Sequence, residues 1–336
     1  MYRDIFQNAY RVIEQDGTYT PTRFTDRQLA ALGALHPNYE RFGRCAAGVS
    51  LAFYTSSPEV SFDLTTDGFY TRFTGVDFYE NGVLMHNLTL PEEPAVTRVS
   101  YEKRTAGETL LEIYLPSNAR GTLTNLTLGD FRPVDRTRLP LILYYGDSLT
   151  QSAYTPTPSL AFPSILARET DTRFVNRGIG SIYFDASTLD PDDGLQPKVV
   201  FAEFGGNDLV RRVNHQVVYR DGVAEYYTPA EVPALIDRAE AYLTKLRKIY
   251  PGAVIIPITL VWCYTTSPRA DVEAVRAEYY TQQTALCRRM GLDFIDGSTV
   301  IPHLPQFRVE DGTHFNALGA YAVAASLLPR LLKAIR

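Results

Sequence analysis

The sequence predicts two successive architectures: an antiparallel β-sandwich of jelly-roll type, then an α/β layer fold built on a parallel sheet. Two changes of pattern along the chain predict it. From about Gly48 to Asp130 apolar and polar residues alternate, the period of strands with one buried face. Beyond Arg136 apolar residues run without alternation, as strands covered on both faces require, and helical periodicity separates the runs. At 336 residues the chain is also roughly twice a usual ~100–200-residue domain, so two units are expected. The boundary falls within Phe131-Arg-Pro-Val-Asp-Arg136, near residue 135, dividing 1–135 from 136–336.

Local signals justify each element in order. A helix is expected around Thr25 to Leu35. Val49, Leu51 and Phe53 alternate, as do Val60, Phe62 and Leu64, and later Leu111, Ile113 and Leu115. Ser57-Pro58, Asp67-Gly68, Asn81-Gly82 and Ala106-Gly107 are the turns between such runs. In the second half, Leu141–Tyr145, Val199–Ala202 and Val254–Ile258 are the buried strands, with a short one at Arg173–Val175. Thr228-Pro-Ala-Glu231 is a capping box with proline at the first helical position. It opens a helix whose Val232, Leu235, Ala239, Leu243 and Leu246 share a face. Ser267-Pro268 similarly precedes Val272, Val275, Tyr279 and Leu286. A last helix from about Ala317 carries Tyr321, Ala324, Leu328, Leu331 and Ile335, and Pro329 is expected to kink or split it.

Composition excludes several classes. Apolar residues make up 45% and charged residues 21%, which suits a large core and argues against disorder. With a net charge of −5 and no run of Lys or Arg, neither nucleic acid nor an anionic membrane is an expected partner. Cys45, Cys263 and Cys287 are too few and too scattered for a disulfide framework or a zinc site, and no metal is expected. The first residues hold no apolar stretch of signal-peptide length, and no segment approaches the ~20 apolar residues of a membrane span. A cytoplasmic location is the expectation.

Four short blocks can carry chemistry. Gly146-Asp147-Ser148-Leu149-Thr150 directly follows an apolar strand, placing a serine at the carboxyl edge of the sheet, where open α/β sheets bind ligands. Alone, Ser148 reads equally as a nucleophile or a helix cap. Asp311-Gly-Thr-His314 sets a carboxylate three residues before an imidazole, a spacing that can orient the ring for proton transfer; a plain Asp-Gly surface turn is the alternative. Phe204-Gly-Gly-Asn207-Asp208 follows the strand Val199–Ala202, and Asn207 offers an amide donor at the same edge. Asn176-Arg-Gly178-Ile-Gly180-Ser181 starts like a phosphate loop, but Tyr183 stands where the third glycine belongs. His36, His86, His215 and His303 lack a comparable carboxylate and read as structural or exposed.

Taken in chain order, the four blocks resemble those of the SGNH, or GDSL, hydrolases, over about residues 139–335. The resemblance implies a three-layer α/β/α sandwich, Ser148 as nucleophile, His314 as general base and acid, and Asp311 orienting His314. It also implies an oxyanion hole of the Ser148 N–H, the Asn207 side chain and a second-block backbone N–H, supplied from Gly178, Gly180 or Ser181. No cofactor is required. Arg44-Cys-Ala-Ala-Gly48, Phe53–Ser57 and Gly75-Val-Asp77-Phe78-Tyr79 further resemble the N-terminal β-domain called GxDLY, with Phe78 in place of leucine. That domain accompanies carbohydrate esterases and an antibiotic-tailoring acyltransferase.

The expected function is thus a serine esterase hydrolysing small O-acyl esters, acetylated carbohydrates among them. An acyltransferase using the same triad is the first alternative, and a non-catalytic carbohydrate-binding protein the second. Trp262 and Tyr264 follow the strand ending at Ile258 and read equally as substrate contacts or as core aromatics. Arg211 and Arg212 read as solvated surface arginines.

Overall fold

A computed structural model describes residues 2–264 and 269–336. In chain order its strands are β1 (Phe6–Gln7), β2 (Arg11–Gln15), β3 (Thr18–Thr22), β4 (Ser50–Thr55), β5 (Glu59–Asp67), β6 (Gly75–Glu80), β7 (Val83–Thr89), β8 (Ala95–Glu102), β9 (Thr109–Tyr114), β10 (Arg120–Thr127), β11 (Phe131–Pro133), β12 (Leu141–Gly146), β13 (Arg173–Gly178), β14 (Val199–Glu203), four two-residue strands β15–β18 between Arg212 and Ala224, and β19 (Val254–Ile258). The helices are α1 (Asp26–Leu35), α2 (Pro37–Gly43), α3 (Ser148–Gln151), α4 (Phe162–Thr170), α5 (Val232–Ile249), α6 (Ala270–Arg289) and α7 (Ala317–Ile335).

Two antiparallel sheets form the first half, in the orders β1-β4-β9-β6-β7 and β2-β3-β10-β5-β8, with β11 also paired to β4. Val49, Leu51, Phe53, Val60, Phe62, Leu64, Leu111, Ile113 and Leu115 fill the space between them, as their alternation predicts. The alternate positions differ from expectation, because Ser50, Ala52, Asp77 and Tyr79 are buried too. The outer face of that sheet is covered by the second half of the chain. Asp77 accepts the Ser159 N–H at 2.8 Å, the Tyr79 and Ser159 hydroxyls bond at 3.1 Å, and Arg168 donates to the Tyr114 hydroxyl at 3.1 Å.

The second half is a parallel sheet of order β13-β12-β14-β19. Helices cover both faces, as the uninterrupted apolar strands require. Leu143, Tyr145, Val200 and Ala202 face α5 and α6, together with Leu29 and Leu32 of α1 and Tyr39 and Phe42 of α2. Ile142, Tyr144, Val199 and Phe201 face α4 and α7. All five apolar positions expected on the face of α5 are buried. The Ser267-Pro268 pair expected to precede α6 lies outside the described residues.

Four details depart from the sequence reading. The short α2, capped by His36 with proline behind it, was not expected. Helix α7 runs unbroken through Pro329, since the carbonyl it frees, that of Ala325, lies on the exposed side where water can take its bond. Its buried face is Ala320, Val323, Ala324, Leu327 and Leu331, whereas Tyr321 is exposed. This 19-residue helix is also apolar enough to cross a membrane by length and composition, which the sequence reading did not register. Here its apolar face packs on the parallel sheet.

Candidate active site

Every block sits just beyond the carboxyl end of a parallel strand or in the loop entering α7. Strand β12 ends at Gly146, paired in register with Gly178 of β13. A Cβ on Gly146 would meet the Thr150 and Glu203 side chains, so the strand passes directly into the turn of α3. Asp147 caps that turn through its Oδ1, which accepts the Leu149 N–H at 2.9 Å, and Ser148 is its first residue.

The Ser148 hydroxyl lies 2.7 Å from His314 Nε2, and His314 Nδ1 lies 2.5 Å from Asp311 Oδ2. Ser148 and His314 are 166 positions apart in sequence. The other Asp311 oxygen accepts the N–H groups of Thr313 and His314, at 2.8 and 2.9 Å, closing the loop on itself. Burial works against ionisation of Asp311, but the His314 ring and these two amides outweigh it and hold the carboxyl at about 2. Tyr154 stacks on the imidazole with ring centres 4.0 Å apart. Arg308, almost wholly buried, donates to the carbonyls of Thr313 and Trp262 and so pins the loop from beneath.

Asn207 lies beside the nucleophile's turn, its Nδ2 donating to Asp147 Oδ2 at 2.9 Å. An amide carries two N–H groups, so one stays available. In the second block the three residues named for the oxyanion hole separate. The Gly180 N–H donates to Gln151 Oε1 at 2.7 Å and the Gly178 N–H to Asn176 Oδ1 at 2.8 Å, so both are committed inside the protein. Gly180 is therefore corrected from donor to packing position. Ser181 adopts φ +64°, and among the described residues its N–H has no partner. Its carbonyl accepts from the Tyr39 hydroxyl at 3.0 Å and from Arg212 at 3.3 Å. Arg212 also donates to the carbonyls of Asn207 and Val210. It is a brace between the second and third blocks rather than a solvated surface residue. Arg211 pairs with Glu231 at 2.6 Å.

Trp262 and Tyr264 flank the histidine loop. Trp262 stacks on His303 at 4.4 Å, and the Tyr264 N–H donates to the Gly312 carbonyl at 2.8 Å. No hydrogen bond or ring contact joins either to Ser148 or His314 among the described residues. Beneath the nucleophile lies a pair that sequence reasoning missed. Glu203 Oε2 accepts the Thr150 hydroxyl at 3.0 Å and the Asp147 N–H at 3.4 Å. Burial, and then the Asp147 charge, raise the Glu203 carboxyl well above its ordinary range. Tyr70 and Phe73 of the sandwich were missed as well. They reach the site from the segment between β5 and β6, Phe73 packing 5.4 Å from the Tyr154 ring.

Residues 144–322, more than half of the chain, match the model of the GDSL-like lipase/acylhydrolase family. The protein belongs to that family. Solved structures resemble this acylhydrolase over both halves. A salicylyl-acyltransferase from a tetracycline biosynthetic pathway is 19% identical, with a TM-score of 0.75 over 98% of this chain and 96% of that one. A carbohydrate esterase family 2 enzyme of Corynascus thermopiles with its carbohydrate-binding domain is 16% identical, with a TM-score of 0.61 over 87% and 95%. A family two carbohydrate esterase of Cellvibrio japonicus is 15% identical, with a TM-score of 0.60 over 99% and 96%. At these identities the likeness establishes the fold, an SGNH-type α/β sandwich behind a β-domain. No curated protein sequence matches the acylhydrolase.

Proposed function

We propose that this acylhydrolase is a serine esterase acting on small O-acyl esters, acetylated carbohydrates among them. The observation that carries the reading is the continuous hydrogen-bonded chain from Asp311 through His314 to Ser148. Ser148 Oγ attacks the ester carbonyl as His314 Nε2 takes its proton, and Asp311 stabilises the imidazolium that forms. The tetrahedral oxyanion accepts from the N–H groups of Ser148 and Ser181 and from the Asn207 amide. Return of the proton from His314 to the alkoxy oxygen expels the alcohol and leaves an acyl-enzyme. His314 then deprotonates water, which attacks the acyl carbon and releases acid.

On p-nitrophenyl acetate, Ser148→Ala is expected to lower kcat by roughly 10⁴-fold or more. Retained turnover in that variant would overturn the reading. Product analysis with an acetylated sugar, in the presence of a second alcohol, checks the acceptor. Free acetate is the expected product, whereas a new ester would make the enzyme an acyltransferase with the same triad.

A further inference from the structure

We infer that Tyr70, a residue of the N-terminal sandwich, is a catalytic residue of the site in the other half, its hydroxyl donating a hydrogen bond to the oxyanion formed when Ser148 attacks. The inference rests on the esterase reading above and adds a donor to it. Tyr70 lies between β5 and β6, outside the segment that carries the four blocks. Its ring lies over Gly180, where a Cβ would run into the ring atoms that carry the hydroxyl. On its other side it meets Phe42 edge-on at 4.4 Å. The glycine thus makes room for a phenol that Phe42 holds in place.

The segment is tied at both ends of its reach. The Tyr70 N–H donates to the Asn118 carbonyl at 2.8 Å, and the Asn118 amide returns a bond to the Phe73 carbonyl at 2.8 Å. Thr71 Oγ1 donates to the Ala153 carbonyl at 2.6 Å, anchoring the segment to the turn just after the nucleophile. Gln151 Nε2 reaches the Ser117 carbonyl at 3.2 Å from the same turn. A side chain held on rigid backbone in this way costs little to position when substrate arrives.

The ring atom that carries the hydroxyl lies over Gly180, next to Ser181, and the Ser181 and Ser148 hydroxyls are among the groups that influence its ionisation; these are the two residues whose N–H groups the esterase reading assigns to the oxyanion. Burial pushes the phenol up to about 12, so it keeps its proton across the working range of a serine esterase. In the free enzyme the O–H has only neutral serine hydroxyls for neighbours of this kind. A negative oxygen forming beside them is a stronger acceptor, and the O–H swings to it without proton transfer. The Gly180 N–H is spent on Gln151 and Asn207 shares its amide with Asp147, so the phenol adds a further donor to those of Ser148, Ser181 and Asn207.

Tyr70→Phe in the full chain removes the hydroxyl and keeps the ring that packs on Gly180 and Phe42. With p-nitrophenyl acetate, kcat is expected to fall on the order of 10- to 100-fold while KM stays within about two-fold. The inhibition constant of phenylboronic acid, whose adduct with Ser148 carries the tetrahedral oxygen, should weaken by a similar factor, with an unchanged thermal midpoint. Wild-type kcat in Tyr70→Phe, alongside a dead Ser148→Ala, overturns the inference and leaves the esterase reading standing. A raised KM with intact kcat also overturns it, making Tyr70 a wall of the acyl pocket. Activity in Ser148→Ala removes the esterase reading and this inference together.

Discussion

At the scale of single residues, the least expected group near the nucleophile is the fully buried carboxyl of Glu203, hydrogen-bonded to the backbone and side chain of the turn that holds Ser148. Burial and the Asp147 charge raise the Glu203 carboxyl, so above the ordinary pKa of about 4.3 the folded chain keeps a proton longer than the unfolded chain does as pH rises. Between that value and the raised one, the folded state carries more protons, so stability falls as pH rises, by up to ~1.4 kcal/mol per pH unit for one group. Glu203→Gln keeps an oxygen for the Asp147 N–H and the Thr150 hydroxyl and removes the titration. Urea midpoints of the variant relative to wild type are expected to rise steadily from pH 4.5 to 7.5; parallel profiles would contradict this. Glu203 also ends a strand, but that its carboxyl turns inward beneath the Ser148 turn rather than out to solvent is set by the pairing of β14 with β12, which its own segment does not carry. Ser148, Asn207, Asp311 and His314 were legible because each is a polar side chain just where a strand ends or a helix begins. The choice between Gly180 and Ser181 was not legible, since it turns on which amide Gln151 reaches.

Secondary elements set the position of the histidine. Asn316 Oδ1 accepts the Gly319 N–H at 3.0 Å and caps α7, while its Nδ2 donates to the Gln306 and Arg308 carbonyls at 2.8 and 3.1 Å. One side chain thus joins the start of the helix to the base of the Asp311–His314 loop. Asn316→Ala should cost about 1–2 kcal/mol of stability, the usual worth of a cap together with the bonds it shares. Because the loop then loses its tether, kcat should fall about 10-fold with a smaller change in KM. A stability loss with unchanged kcat would separate the cap from catalysis. At this scale the sequence was informative wherever one face meets one environment, as in α5, whose capping box and apolar stripe both form. The Asp221-Gly222 pair marks its hairpin just as locally, both residues taking positive φ. The preceding hairpin at Asn214-His215 carries the same backbone signature, but its residues lack the glycine that announces it. Strand β6 is buried on both faces yet belongs to an antiparallel sheet, a fact that only the docking of the second half explains.

The whole molecule unfolds as one unit if its halves share a core, and several contacts argue that they do. The apolar faces of α1 and α2 complete the cluster beneath the parallel sheet. Arg23, fully buried, donates to the carbonyls of Phe42 and Cys45 in the first half, at 2.9 and 2.6 Å. It also donates to those of Asn176 and Gly178 at the end of β13, at 2.6 and 2.9 Å. Burial lowers its guanidinium to about 10, so it remains charged at neutral pH and is held by these four acceptors. A division at residue 135 follows the strand types but cuts through this arrangement, because which surface a short helix covers is a long-range fact absent from its own periodicity. Arg23→Met removes the donor from four buried carbonyls, of which that of Phe42 keeps the Cys45 N–H. A loss of roughly 3–5 kcal/mol is expected after partial relaxation, given ~1–3 kcal/mol for each unmade bond. The decisive measurement is urea unfolding followed by two probes, the fluorescence of Trp262, the single tryptophan, and far-UV circular dichroism. Both midpoints should coincide in the wild type and move down together in Arg23→Met, since the residue belongs to both halves at once. A dichroism transition that parts from the tryptophan transition in the wild type would mean that the sandwich and the parallel sheet fold independently, with Arg23 merely bridging two finished domains.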